Sequence, residues 1–368
     1  MMGFLLTAAS IAAGLIKRNS KVVAFIVLVV MWILMGCNTY NDDYDGSEFV
    51  FENYSVQIAG AGQTFGYQLL IAAAHTIGLS YLQFRMILSI IGLLCVFAFI
   101  NRYTGYVAFV LVMYIICPFF YDIVQFRFFL ASSIAIFGLI FLIEKRRFGT
   151  LLFVVFACVG ISIHTACALY LLFLTTALDE RKCMVLNLAI AFAFLFGVYS
   201  GLLAPLASYF VDASKFEVYF EASARFGYLQ YWAVFALIML LFWSISSRRK
   251  KKERKAILGP AFASEEGCCD RRTQFVEFSM KARFLLVPYL ALLPLSVQNF
   301  YRLIRSMLPM VYLFFTIVLF ERPAESRGMN AKLEKAMFVL WVGANALIVQ
   351  AGVWDLVIVT ELTENLFW

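Results

Sequence analysis

Charge is what this chain has least of. Asp, Glu, Lys and Arg make up 14% of its 368 residues, against 63% hydrophobic and 17% aromatic, whereas soluble domains carry about 25% charge. A chain this poor in charge cannot cover a water-soluble surface, so it reads as an integral membrane protein. Other absences narrow the chemistry. There is no Rossmann or P-loop glycine pattern, which removes the usual nucleotide cradles, and no internal repeat of about 20 to 50 residues. The eight cysteines show no CxxC spacing. Cys37, Cys95, Cys117, Cys158 and Cys167 lie in or beside apolar runs as small packing residues, and the adjacent Cys268 and Cys269, with no histidine nearby, make a poor zinc site. Met1 to Ile16 lacks the basic start of a cleavable signal peptide and merges into a first expected span.

What the chain does have is apolar runs, at about 3–16, 22–37, 84–100, 106–117, 126–143, 150–162, 165–178, 184–205, 229–246, 283–297, 301–320 and 336–352. They predict an all-α, polytopic transmembrane bundle of about twelve spans, with residues 1–368 forming a single membrane domain. Lys and Arg set the orientation, because they stay on the cytoplasmic side. Placing Lys17, Arg18, Lys21, Arg102, 145–147, Arg181, Lys182, 248–283 and 322–335 inside collects 24 of the 30 basic residues. Only Arg85, Arg127, Lys215, Arg225, Arg302 and Arg305 are left outside. The segment 65–80 is apolar enough to span, but a crossing there would put the later basic loops on the wrong side. It is therefore expected to be an interfacial helix on the outer face, with both chain ends outside. An outer loop at 208–228 is expected to form a surface helix through its i,i+4 charge pairs, and 247–282 a cytoplasmic connector. The net charge of +7 is on this reading an orientation signal and not a nucleic-acid footprint.

Against this background the segment 38–64 stands out. It carries Asp42, Asp43, Asp45, Glu48 and Glu52 and no Lys or Arg. Ionisable groups at membrane depth cost several kcal/mol unless they are paired or wet, which makes each one a functional candidate. Arg127 opens a span after Asp122 and Gln125; His164 sits at the junction of two spans; Arg302 and Arg305, three residues apart, share a helix face. All are expected on the outer face, close to the acidic loop. Competing readings have the arginines snorkelling to lipid phosphates, His164 packing as a hydrogen-bonded core residue, and the aspartates simply solvated. His75 reads as a headgroup-level surface residue. Asn41, Asp43, Asp45, Gly46 and Glu52 also fit the spacing of a calcium loop, although position 1 is Asn and no soluble helix pair flanks it.

The order of motifs carries a resemblance. Lys17-Arg18, then Asn41-Asp42-Asp43-Tyr44-Asp45, Gly66-Tyr67, Asp122 to Gln125-Phe126-Arg127 with Leu130-Ala131, Glu144-Lys145, Ser162-Ile163-His164-Thr165 and Tyr301-Arg302-Leu303-Ile304-Arg305 together resemble the EpsG family of bacterial polysaccharide polymerases, similar in role to Wzy polymerases. The resemblance covers roughly 17–320. Phe128 departs from it, since the family often has a polar residue after the arginine.

The resemblance implies a GT-C-like membrane glycosyltransferase in the bacterial cytoplasmic membrane. Such an enzyme polymerises O-antigen, capsule or exopolysaccharide repeat units on the outer face, with polyprenyl pyrophosphate as leaving group. Its substrate is a polyprenyl-pyrophosphate-linked oligosaccharide, its surroundings the lipid bilayer, and its partners a chain-length regulator and a flippase. No cofactor, resident metal or nucleic acid is implied. A leaving group that anionic calls for fixed guanidinium forks, for which Arg127, Arg302 and Arg305, with Gln125, are the candidates. The base that activates the acceptor hydroxyl is Asp43, Asp42, Asp45 or His164. A transporter of the lipid-linked sugar would instead distribute its polar groups through a central cavity and show repeat symmetry. A ligase would use the same groups as a polymerase.

Overall fold

The computed structural model describes residues 2–54, 64–202, 228–249, 266–294, 297–321, 329–350 and 354–368. Among these residues the chain is all helical, without a strand; one isolated β-bridge joins Asn38 to Asn365. Five apolar stretches are long enough to cross a bilayer: Tyr81–Tyr103, Val107–Val124, Phe126–Ile143, Leu229–Ser247 and Tyr301–Phe320. Four shorter apolar helices accompany them, Met2–Ile16, Lys21–Gly36, Gly149–Ile163 and Thr165–Ala177. The expected outer loop at 208–228 lies outside the described residues apart from Tyr228, as do 250–265 of the expected connector. The connector's remainder is a helix, Glu266–Ala282. It forms because Phe275, Phe278 and Ala282 fall on one face and bury there.

The described chain makes two compact units. The first comprises Met1–Ala168, Leu308–Glu321 and Ala346–Trp368. It opens with a hairpin of α1 (Met2–Ile16) and α2 (Lys21–Gly36), whose second helix starts where the Ser20 hydroxyl accepts the Val23 N–H at 3.3 Å. Two short helices follow, α3 (Tyr44–Glu52) and α4 (Phe65–Thr76), and then the long α5 (Tyr81–Tyr103). Next come α6 (Val107–Tyr114), α7 (Phe120–Val124), α8 (Phe126–Ile143) and α9 (Gly149–Ile163).

Within the segment 65–80, expected to be an interfacial helix, the chain forms α4, of 12 residues. At about 1.5 Å per residue it covers about 18 Å, well short of a bilayer core of about 30 Å. Gly78 ends this stretch with φ +72, a conformation most side chains avoid. Ser80 then starts α5 with a reciprocal capping box to Gln83.

The ends of the first unit differ in charge. At one end Arg102 and Arg146 grip Glu144 at 2.6 and 2.8 Å, the Thr104 hydroxyl donates to Glu321, and Arg18 lies over Phe109 and Phe320. At the other end lie the acidic residues 42–52.

The second unit comprises Leu169–Met307 and Arg322–Asn345. Lys281 donates to the carbonyls of Thr176 and Leu178 at 3.1 and 2.6 Å, capping the end of the Thr165–Ala177 helix. Arg283 pairs with Glu180 at 2.8 Å, Trp232 donates to Leu290 O at 3.0 Å, and the Ser244 hydroxyl donates to Glu334 at 2.9 Å.

Close approach fixes α4 on α9. A Cβ on Gly66 would collide with the Ser162 hydroxyl and its backbone, and the Thr64 hydroxyl donates to Ile163 O beside it. We predict that Gly66→Val pushes α4 off α9 and destabilises the protein by about 1 to 3 kcal/mol, read as a lower midpoint of thermal unfolding in detergent. An unchanged midpoint would mean that the two helices are not in contact.

Candidate functional site

The root of the acidic segment is held by asparagines. Asn38 and Asn41 are buried. Asn41 donates its amide to Asn38 Oδ1 at 2.7 Å, and its own Oδ1 accepts the Asp43 N–H at 3.1 Å, turning the chain into α3. Within α3 the residues sort by face. Tyr44 and Phe51, seven apart, point inward, with Tyr44 edge-on to Tyr81 at 5.0 Å and Phe51 tilted against Phe84 at 5.1 Å. Asp45, Glu48 and Glu52 fall on another face. Burial, reinforced by Glu52 and Asp45, pushes the Glu48 carboxyl above its ordinary value. Burial and Glu48 push the Tyr44 hydroxyl up to about 12.

His75, expected as a surface residue, is exposed but engaged. Its Nε2 lies 2.7 Å from Phe51 O and its ring stacks on Phe51 at 4.5 Å, tying α4 to α3. The residues 41 to 52 that match a calcium loop do not wrap as one, since they are helical from Tyr44 onward. No three His, Cys, Asp or Glu gather as a metal site among the described residues.

Arg127 reaches this end because the span before it is broken. Helical geometry fails at Cys117 and Pro118 and again at Gln125. A proline has no N–H to donate, and broken backbone in an apolar span requires partners. Tyr312 supplies one by donating to Cys117 O at 2.8 Å, while the Tyr114 hydroxyl donates to Asp122 at 2.5 Å. The second break starts α8 with half-buried Gln125 and Arg127 in its first turn. Arg127 lies over the Tyr67 ring at 5.5 Å, and Tyr67 meets Phe84 at 6.0 Å. One continuous aromatic cluster, Tyr44, Tyr81, Phe51, Phe84 and Tyr67, therefore links the acidic segment to Arg127.

His164 caps α9, beside α4. Its Nδ1 accepts the Ala166 N–H at 3.2 Å, and its ring sits edge-on to Phe128 at 5.2 Å. Phe128 thus packs where the resemblance leads one to expect a polar residue. Arg302 and Arg305 belong to the second unit, on the helix Val297–Ser306. Arg305 is buried and Arg302 half-buried. Tyr301 anchors that helix by donating to Asn345 at 2.9 Å and by tilting against the Tyr231 ring at 4.6 Å.

Two charged residues at the acidic end carry no role in the sequence reading. Arg85, on α5, is 1% exposed. It donates to Met35 O at 3.1 Å and to Ile123 O at 3.4 Å, and its guanidinium lies over Tyr44 and Phe126. Glu361 is fully buried, and neither of its oxygens accepts a hydrogen bond from the described residues. Burial raises its carboxyl well above the ordinary range, with Arg85 opposing the shift and Asp42 adding to it. Arg85 was findable, since it is an ionisable residue at the start of an apolar run like Arg127. Nothing local marks Glu361.

The EpsG family model matches residues 21–326. This chain belongs to the EpsG family. No curated protein and no solved structure matches it. Membership associates the chain with polysaccharide biosynthesis at a membrane. The EpsG match includes the acidic segment, Arg85, Arg127, His164, Arg302 and Arg305, while Glu361 lies beyond it.

The Arg85–Glu361 relation predicts a pH-dependent coupling. A carboxyl whose folded value is raised keeps its proton at low pH and loses it as pH rises through that value, with a loss of stability. Only the ionised form attracts Arg85 strongly. A double-mutant cycle of Arg85→Met and Glu361→Gln should therefore show a coupling that is larger at a pH above that raised value than at a pH below it. Additive effects at both pH values would show that the two groups do not interact.

Proposed function

We propose that this EpsG-family chain polymerises lipid-linked oligosaccharide repeat units on the outer face of the bacterial cytoplasmic membrane. The observation that carries the reading is the gathering, at one end of the first unit, of a solvent-exposed acidic segment, the broken-span arginine Arg127 and an aromatic cluster between them. The proposed architecture is GT-C-like, with about twelve crossings and the basic end of the first unit in the cytoplasm, as the positive-inside rule requires.

In the proposed reaction, an acceptor sugar hydroxyl loses its proton to Asp42, Asp43, Asp45 or His164 as its oxygen attacks the anomeric carbon of a chain on a second carrier. The new glycosidic bond forms while the bond from the anomeric carbon to the phosphate oxygen breaks, and polyprenyl pyrophosphate leaves with the electron pair. Arg127, Arg302 and Arg305 are proposed to meet the charge that builds on that leaving group, since planar guanidinium forks match phosphate oxygens in pairs.

A strain lacking the chain tests this reading. Polymerase loss leaves single repeats on the carrier at the outer face; ligase loss leaves full-length polymer on the carrier, and transporter loss leaves repeats inside. Within a polymerase, Arg302→Lys and Arg305→Lys keep the charge but remove the fork. We predict that each lowers polymer formation by about 10²-fold at normal expression. Of Asp42→Asn, Asp43→Asn and Asp45→Asn, one should lose about 10² to 10⁴-fold. Wild-type polymer in every one of these variants would contradict the assignment.

A further inference from the structure

Residues 360–368 fold back onto the root of the acidic segment. Thr39 N–H and the Asn38 amide both donate to Glu364 O, at 3.2 and 3.0 Å. Leu366 N–H donates to Cys37 O at 2.9 Å, and the Asn365 amide donates to Ile33 O at 2.8 Å. Asn38 and Asn365 are both buried. The segment is braced from behind, since Trp368 donates to Leu362 O at 2.9 Å and the α1 residue Gly3 packs tightly against that same carbonyl. A continuous relay results: Glu364 O holds Asn38, Asn38 holds Asn41, and Asn41 holds the Asp43 N–H. The same segment brings the buried Glu361 into electrostatic reach of Asp42 and Arg85.

The relay reaches the first residues of an acidic helix that resists its own formation. Asp45, Glu48 and Glu52 lie at i,i+3 and i,i+4 spacings, which repel. A nine-residue helix is too short to be stable alone. Its start therefore needs an external template, and the hydrogen bonds from 360–368 supply one.

We propose that this C-terminal segment is a strap that positions the Asp42, Asp43 and Asp45 carboxylates for the reaction, with Asn38 and Asn365 as positioning residues that touch no substrate. This rests on the acidic segment holding the acceptor base, and it extends the machinery beyond residues 21–326, where the EpsG match lies. Small displacements of a reacting group cost large factors in rate.

The experiment uses the full chain in lipid nanodiscs, with repeat units on polyprenyl pyrophosphate isolated from a strain that lacks this chain. Two quantities are read, backbone amide exchange across 38–52 and the kcat and KM of polymerisation. Asn38→Ala and Asn365→Ala should each speed exchange across 38–52 about tenfold while α5 and α8 keep their protection. They should lower kcat about tenfold or more with KM changed less than threefold. Thr363→Val is the control, because among the described residues the Thr363 hydroxyl bonds only to the nearby carbonyls of Val359 and Thr360, and it should change neither quantity. Exchange confined to its wild-type rate in both alanine variants would overturn the strap. So would a general loss of protection or a rise in KM alone, which indicate a structural or a binding role. Should the wild type fail to polymerise, the polymerase reading falls, and amide exchange still decides whether the strap orders the acidic segment.

Discussion

A buried guanidinium organises the acidic end of the first unit. Arg85 is almost wholly removed from solvent, where an unsatisfied cation costs several kcal/mol. It can exist there only because the end of α2 turns Met35 O toward it, the end of α7 presents Ile123 O, and Tyr44 and Phe126 cover it with ring faces. Those four contacts come from four different segments. Although the Arg85 Nε finds no hydrogen-bond partner among the described residues, holding this one side chain through Nη2 and two ring faces fixes where α3 lies on α5 and where the broken span resumes as α8. That in turn sets the position of Arg127.

The acidic segment is the counterpart of that constraint. Five carboxylates within residues 42–52 repel one another, and their helix is short. Burial of Tyr44 and Phe51 against Tyr81, Phe84 and His75 offsets the repulsion from one side, and the asparagine relay from residues 360–368 fixes the other. The result places Asp42, Asp43, Asp45 and Glu52 exposed to solvent, with Glu48 half-buried among them. In the proposed reaction a base in that position would meet the aqueous sugar, while Arg127 lies over the buried Tyr67 ring at the start of an apolar span. The geometry suits a substrate whose polar head is a sugar and whose anchor is a lipid.

Much of this was legible in the sequence, and the rest was not for identifiable reasons. Apolar runs located α1, α2, α5, α8 and α9 because a membrane helix must be apolar over its length. The short α4 was readable from the apolar run at 65–80. Arg127 and His164 were legible as polar residues at span junctions. The break at Cys117 and Pro118 was hidden, since Tyr312, which satisfies the broken backbone, is distant in sequence. The helix Glu266–Ala282 was taken for part of a connector because its mixed charge masks a narrow apolar face. Glu361 and the strap were invisible for a deeper reason. Their partners, Asn38, Arg85 and Asp42, lie more than 270 residues away, and hydrogen bonds to backbone carbonyls leave no pattern in side-chain type.

The central claim is that lipid-linked sugar is handled at the acidic end of the first unit. The most direct test is photocrosslinking of the purified protein with a repeat unit on polyprenyl pyrophosphate whose sugar carries a photoreactive group, followed by peptide mapping. The account predicts adducts in 38–54, in α4 and in the first turn of α8 around Arg127, competed away by unlabelled lipid-linked repeat unit. Adducts confined to the opposite end, around 17–21 and 144–148, would contradict it.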